Sequence, residues 1–245
     1  MGKLIAVWGT PEAGKTTFSV KLAETIYRHF RERRSVVLVF TDDIAPAIPV
    51  IFPNYKYDAS SIGAILSKPD FSADDIAANF VIPKGHMNLA FLGYKAGENT
   101  HSYPVYTIAK AKYFYDVLVG IADYVIVDCM SIPDFSLLTR VALENADQTV
   151  RLDTPDLKCI SFRMSQMKIF ASHGYLKDSD VSVMNIPRQE LNLSAADART
   201  HLGKIEFTIP YCPGLMEQYM EGVLYERLKD KRFMQTIKII AERLV

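Results

Sequence analysis

The sequence is short of cysteine, of charge imbalance and of long apolar runs, and each shortage excludes something. Three cysteines, Cys129, Cys159 and Cys212, stand far apart among 245 residues. No pair has metal-ligand spacing, and an odd number argues against a disulfide framework. Reduced thiols in a cytoplasmic protein are the expectation. The five histidines, His29, His86, His101, His173 and His201, are scattered and suggest no metal site. Lys plus Arg and Asp plus Glu each total 28, a formal net charge of zero. A strongly basic nucleic-acid binder is therefore not indicated, and neither DNA nor membrane contact follows from charge. The local cluster Arg28, Arg31, Arg33 and Arg34 reads as a solvated helix end. No window approaches the roughly 20 apolar residues of a bilayer span. The opening run Leu4–Trp8 is strand-like and lacks the apolar core of a signal peptide.

What is present is the balance of a globular protein with a sizeable core, 49% hydrophobic and 23% charged. Short apolar, β-branched runs alternate with longer amphipathic ones. The predicted strands are Leu4–Trp8, Val36–Phe40, Asn88–Leu92, Tyr124–Asp128, Thr149–Leu152, Val181–Met184 and Ile205–Ile209. Phe18, Leu22, Ile26 and Phe30 recur every four residues and predict a helix behind the first strand. Further helices are predicted over Pro104–Ala122, with Pro104 in the first turn, and over Ser136–Asn145, Leu157–His173, Ser194–Leu202 and Lys231–Leu244. Continuous apolar strands separated by helices imply an α/β protein: a mostly parallel seven-stranded sheet with helices on both faces. The stretch Ile44–Pro83 carries Pro46, Pro49, Pro53, Pro69 and Pro83 and reads as an irregular insertion with short helices. With no repeat, linker or low-complexity tract, residues 1–245 are expected to form one domain.

Gly9-Thr10-Pro11-Glu12-Ala13-Gly14-Lys15-Thr16 satisfies G-x-x-x-x-G-K-[ST]. Gly9 and Gly14 let the backbone curl so that its N–H groups, those of Ala13 among them, face phosphate oxygens. Lys15 brings a charge against the β- and γ-phosphates, the Thr16 hydroxyl is a Mg²⁺ ligand, and Thr17 reaches the α-phosphate. The following helix adds its positive end. The pattern recurs by chance elsewhere, but here it lies between a strand and an amphipathic helix, the context that supports it. ATP with Mg²⁺ is the expected ligand.

In a parallel sheet the carboxyl ends of the strands converge on such a loop. Asp128 closes one strand and is placed to hold Mg²⁺ through water. Asp42 could join the metal site and orient or deprotonate an attacking water, although Asp43 competes with it equally on sequence. Lys15, Asp42 and Asp128 are thus the candidate catalytic groups, and Thr16, Asp42 and Asp128 the candidate metal ligands. An aspartate that merely caps a turn is the plainer alternative for each.

These residues, in this order, resemble the MinD/ParA group of P-loop ATPases. Tyr124-Val125-Ile126-Val127-Asp128 with Pro133 is similar to the family's Walker B strand and switch, and Ala146–Asp156 to its A-D-x-V-x-x-V-x-x-P-[ED] segment. The resemblance implies an adenine-recognising role for Asn185, and packing on the base by Pro210 and Tyr211. It matches Asp42 to the second aspartate of a water-positioning D-x-D element whose first position is Phe40 here. It also exposes departures. The family's deviant loop reads K-G-G-x-G-K-T, and Thr10 stands where its signature lysine would be, with Pro11 and Glu12 in place of two glycines. Thr10 cannot supply that charge, which in the family crosses an ATP-sandwich dimer, and Pro11 lacks an N–H donor. Similar loops occur in TadZ/CpaE-like relatives, which often carry an added receiver-like domain.

The resemblance implies a nucleotide-dependent positioning or partitioning factor, a nucleotide-dependent homodimer with an unidentified protein partner, and slow or partner-dependent ATP hydrolysis. A small-molecule kinase or ligase, or a pseudo-enzyme holding ATP as a structural ligand, are the alternatives. No Arg-rich lid is evident for a kinase. The C-terminal face Phe233, Ile237, Ile240 and Leu244 is expected to pack on the sheet rather than on a membrane.

Overall fold

The computed structural model describes residues 2–54, 61–177, 179–189 and 193–245. The six residues 55–60 of the proline-rich insertion lie outside the described set. Seven strands, β1 (Lys3–Gly9), β2 (Val36–Phe40), β3 (Leu89–Leu92), β4 (Tyr124–Asp128), β5 (Gln148–Asp153), β6 (Val181–Asn185) and β7 (Phe207–Ile209), form one sheet in the order β3-β2-β4-β1-β5-β6-β7. Every pairing in it is parallel.

Both faces of the sheet are covered, which is why its strands read as unbroken apolar runs. Alternate side chains of β1 go to opposite layers. Ile5 and Val7 join Leu38, Ile126 and Leu152 beneath α1 (Lys15–His29) and the last helix. Leu4, Ala6 and Trp8 join Val37, Val39, Val125 and Val127 beneath two helices between β3 and β5. The predicted stripe on α1 is buried at Phe18, Leu22 and Ile26, while Phe30 only packs against its edge.

Between β2 and β3 lie three short helices, α2 (Ile48–Ile51), α3 (Ile62–Ser67) and α4 (Ala73–Ala77), as the proline-rich insertion implied. The next, α5 (Ile108–Ile121), starts later than the expected Pro104. Thr107 is the N-cap, its hydroxyl accepting from Lys110 N at 3.2 Å, so the orphan donors of the first turn are satisfied there. Upstream, Val105 is 93% exposed and offers no packing that would extend the helix. Asn88, Ile205 and Glu206 likewise fall outside the strands.

A 3₁₀ turn (Pro133–Phe135) leads into α6 (Leu137–Asn145), followed by α7 (Leu157–Ser172), α8 (Ala195–Leu202), α9 (Gly214–Glu221) and α10 (Lys231–Leu244). No residue of α9 is buried, so it carries no core-facing stripe that periodicity could find. On α10 the face Phe233, Ile237, Ile240 and Leu244 is buried in the layer shared with α1. Among the described residues no helix is long and apolar enough to cross a membrane.

Candidate phosphate-binding site

Most of the longer helices begin on a side-chain cap: Ser136 accepts from Thr139 N, Asp156 from Cys159 N and Asp230 from Phe233 N. The first helix does not. It starts on Gly14 with no side-chain cap hydrogen bond and no acidic residue in its first turn. Its leading N–H groups thus have no side-chain cap of their own, the arrangement that suits a bound phosphate.

The loop before α1 has two glycines that no other residue replaces freely. Gly9 has φ +143°, and a Cβ there would lie 2.0 Å from the Leu152 carbonyl oxygen of the neighbouring strand. Gly14 has φ +81°, and its Cβ would meet Asn185 Nδ2 at 2.8 Å. Glu12 adopts φ +62°, left-handed backbone where glycine is ordinarily favoured. Its carboxylate turns outward and pairs with Lys158 Nζ at 2.9 Å, an exposed contact of small energetic weight. Thr10 turns inward: it is 1% exposed, its N–H bonds Leu152 O at 3.1 Å and its hydroxyl has no partner.

The register of the sheet delivers the rest. Val7 and Phe40 both pair with Asp128, which puts the ends of β1, β2 and β4 side by side. Thr16 Oγ1 donates to Asp128 Oδ2 at 2.6 Å, and Ser19 Oγ lies 3.4 Å from Oδ1. Lys15 Nζ donates to Thr10 O at 3.1 Å and to Ser131 Oγ at 2.6 Å. Burial pushes the Asp128 carboxyl up to about 6, opposed by the Thr16 hydroxyl and the Lys15 charge. Burial also lowers the Lys15 ammonium, opposed first by Asp128. Each charge thus offsets part of the other's desolvation, and added negative phosphate would favour the ammonium further.

Asp42 and Asp43, equivalent by sequence, part company. Asp42 lines the same cavity as Lys15, Thr16, Thr17 and Asp128, about 480 Å³ in volume. One of its oxygens caps its own turn, accepting from Ile44 N at 2.9 Å and Ala45 N at 2.8 Å. Asp43 lines a separate cavity next door. The capping role and a place at the phosphate cavity thus coexist in Asp42.

Sequence reasoning missed Ser131, Ser19, Thr41 and Thr139. Thr41 Oγ1 donates to Asp128 O at 2.9 Å and lies 2.7 Å from Thr139 Oγ1, which in turn accepts from Met130 N at 3.0 Å. These bonds pin the segment after β4 to the end of β2. The hydroxyls flanking the two strand-end aspartates were the available signal, but their partners depend on strand register.

Asn185, Pro210 and Tyr211 do not line the phosphate cavity. Asn185 ends β6, and its amide Nδ2 donates to Ala13 O at 2.9 Å, steadying the loop from the β5–β6 side. Pro210 and Tyr211 follow β7, next to β6 in the sheet, and Tyr211 is 41% exposed.

A hard divalent cation takes one or two carboxylates, with water and phosphate completing its shell. Thr16, Asp128 and Asp42 offer that donor set, and the contact between the Thr16 hydroxyl and Asp128 brings two of the three together. Mg²⁺ therefore fits the residues present. No grouping of three or more His, Cys, Asp or Glu side chains suited to a metal occurs among the described residues.

No protein-family model matches the sequence, and no curated protein matches it. Solved structures do. A ParA family ATPase from Chlorobium tepidum TLS superposes with a TM-score of 0.76 at 13% identity, covering 98% of both chains. The MinD cell division protein of Aquifex aeolicus superposes at 0.73 with 20% identity, covering 98% of this chain and 96% of its own. The septum site-determining protein MinD of Pyrococcus horikoshii OT3, complexed with Mg-ADP, superposes at 0.72 with 16% identity, covering 99% and 95%. The chain has the MinD/ParA-type P-loop fold.

Proposed function

We propose that residues 1–245 form a single ATP-binding P-loop domain that acts as a nucleotide-dependent positioning or partitioning factor in the cytoplasm. The observation that carries this reading is the convergence of Lys15, Thr16, Asp42 and Asp128 on one cavity at an uncapped helix start. The Mg-ADP complex of the Pyrococcus horikoshii relative supports the same ligand class.

Within that reading each side chain has a defined task. Lys15 neutralises the terminal phosphates, and the N–H groups at the start of α1 hold their oxygens. Thr16 and Asp128, with Asp42, hold Mg²⁺, which supplies neutralisation of developing phosphate charge when bound. Asp42 orients the attacking water. Asn185, Pro210 and Tyr211 receive the adenine on the β6–β7 side. With Thr10 turned inward in place of a lysine, hydrolysis is slow or partner-dependent, and an ATP-induced homodimer that presents its surface to a protein partner is correspondingly weak. The kinase reading lacks support, because among the described residues lining the cavity Lys15 is the one cation.

Calorimetry of ATP·Mg²⁺ binding tests the assignment. Lys15→Ala removes a charge-assisted contact of about 1.5–3 kcal/mol, which weakens ATP about ten- to a hundredfold. Unchanged affinity in that variant would sink the site.

A further inference from the structure

Beside the phosphate cavity, and sharing Phe135 with it, lies a second cavity of about 190 Å³. Its walls include Tyr94, Tyr103, Tyr106 and Phe135 together with the carboxylates of Asp43 and Asp134. Among its described lining residues none is cationic. Asp43 Oδ1 is buried there without a hydrogen-bond partner within the protein. Leaving a buried acceptor unsatisfied is costly, and more so for a charged one. Tyr94 and Tyr106 line this cavity together with Asp43.

The geometry points to a binding site for an organic cation, a guanidinium or primary ammonium group, held by Asp43 and enclosed by the aromatic faces of Tyr94, Tyr103, Tyr106 and Phe135. A carboxylate oxygen awaiting a donor supplies the charge-assisted hydrogen bond. Ring faces are negative and attract a cation within about 6 Å of their centres. The volume equals roughly six waters' share of liquid, which a lysine- or arginine-sized group fills. Two neighbours shape the preference. Asp42 adjoins Asp43 in the chain, and Asp134 adds a second negative wall. Both features favour a cation over a neutral ligand. The inference does not depend on nucleotide binding, since it concerns the second cavity.

The test uses the nucleotide-free full chain and three probes: agmatine, an acetyl-Gly-Arg-Gly-amide peptide and the same peptide with citrulline replacing arginine. Saturable calorimetric binding of a cationic probe, with the citrulline peptide at least tenfold weaker, is the expected result. Agmatine binding as tightly as the arginine peptide assigns the site to free amines, whereas clear preference for the peptide assigns it to a side chain of a docked protein. Asp43→Asn keeps the shape and removes the charge, and it should weaken the cation about ten- to a hundredfold. Should that variant fail to fold by circular dichroism, Phe135→Ala decides, since this side chain is 61% exposed and its loss opens one wall. A several-fold weakening is expected. No saturable binding at millimolar probe, equal binding of citrulline, or indifference to both substitutions would overturn the assignment.

Discussion

A lysine with no exposure sits in the middle of α1, and it makes a measurable prediction about pH. Lys21 is 0% exposed, donates from Nζ to Gln218 Oε1 at 2.5 Å and to Glu226 O at 2.7 Å, and so ties α1 to α9 and the segment after it. Burial lowers its ammonium from 10.5 to about 8, with Glu24 the first of the opposing charges. Because the folded chain releases this proton more easily than the unfolded one, the charge penalty is fully present below pH 8. As pH rises from about 8 to 10.5 the unfolded chain still binds the proton while the folded chain does not, so stability rises across that window. The difference is worth ~3 kcal/mol at full extent, as an order of magnitude. For a slope of about 3 kcal/mol per molar urea this moves the unfolding midpoint by about 1 M. The assay is urea unfolding of the unmodified protein and Lys21→Met at several pH values between 7 and 10.5. Tyrosine and cysteine titrations common to both cancel in the difference. The gap between the two proteins should shift in favour of the unmodified protein as pH rises. Parallel pH profiles would refute a depressed Lys21, whatever the two absolute stabilities are.

Three further perturbations have defined outcomes. Gly14→Ala forces left-handed backbone on an L residue and pushes the Asn185 amide, so it should destabilise by about 1–3 kcal/mol and lower the thermal midpoint by several degrees, read by circular dichroism. Ile237→Ala, in the fully buried layer between α10 and α1, should cost about 2–5 kcal/mol in denaturant unfolding. The unmodified protein should turn over ATP very slowly alone, because the in-trans cation that accelerates such reactions about 10³–10⁵-fold has no counterpart at Thr10; brisk partner-free release of phosphate would return the kinase reading.

The strands from β1 to β6 were legible because they are largely buried on both faces, so their composition needed no knowledge of neighbours; the edge strand β7 is only partly buried and was read two residues too long. The α1 stripe and the phosphate loop were legible for a similar reason: both are local in sequence. What escaped depends on contacts made across the chain. Pro104 suited a helix start, yet Thr107 supplies the cap, and only the absence of packing around Val105 decides between them. Nothing in α9 is buried, so no periodicity marked it. Ser131 meets Lys15 across 116 residues, a pairing set by the β1–β4 register and invisible in either segment alone.

The pair Asp42 and Asp43 shows where that boundary falls. In sequence they are two identical side chains ending one strand. In the fold the Asx-type turn of Asp42 onto Ile44 N and Ala45 N holds it at the phosphate cavity, while its neighbour enters the aromatic one. Phe135 lines both cavities from the 3₁₀ turn after β4, and that segment is pinned to the end of β2 through Ser136 Oγ to Thr41 O at 3.3 Å and the Thr41–Thr139 contact. Thr41 also reaches the Asp128 carbonyl. The Thr41 hydroxyl and carbonyl therefore join the Asp128 backbone at the phosphate cavity to the segment that carries Phe135. The chemistry of the two cavities is thereby tied to one small group of side chains at the ends of β2 and β4.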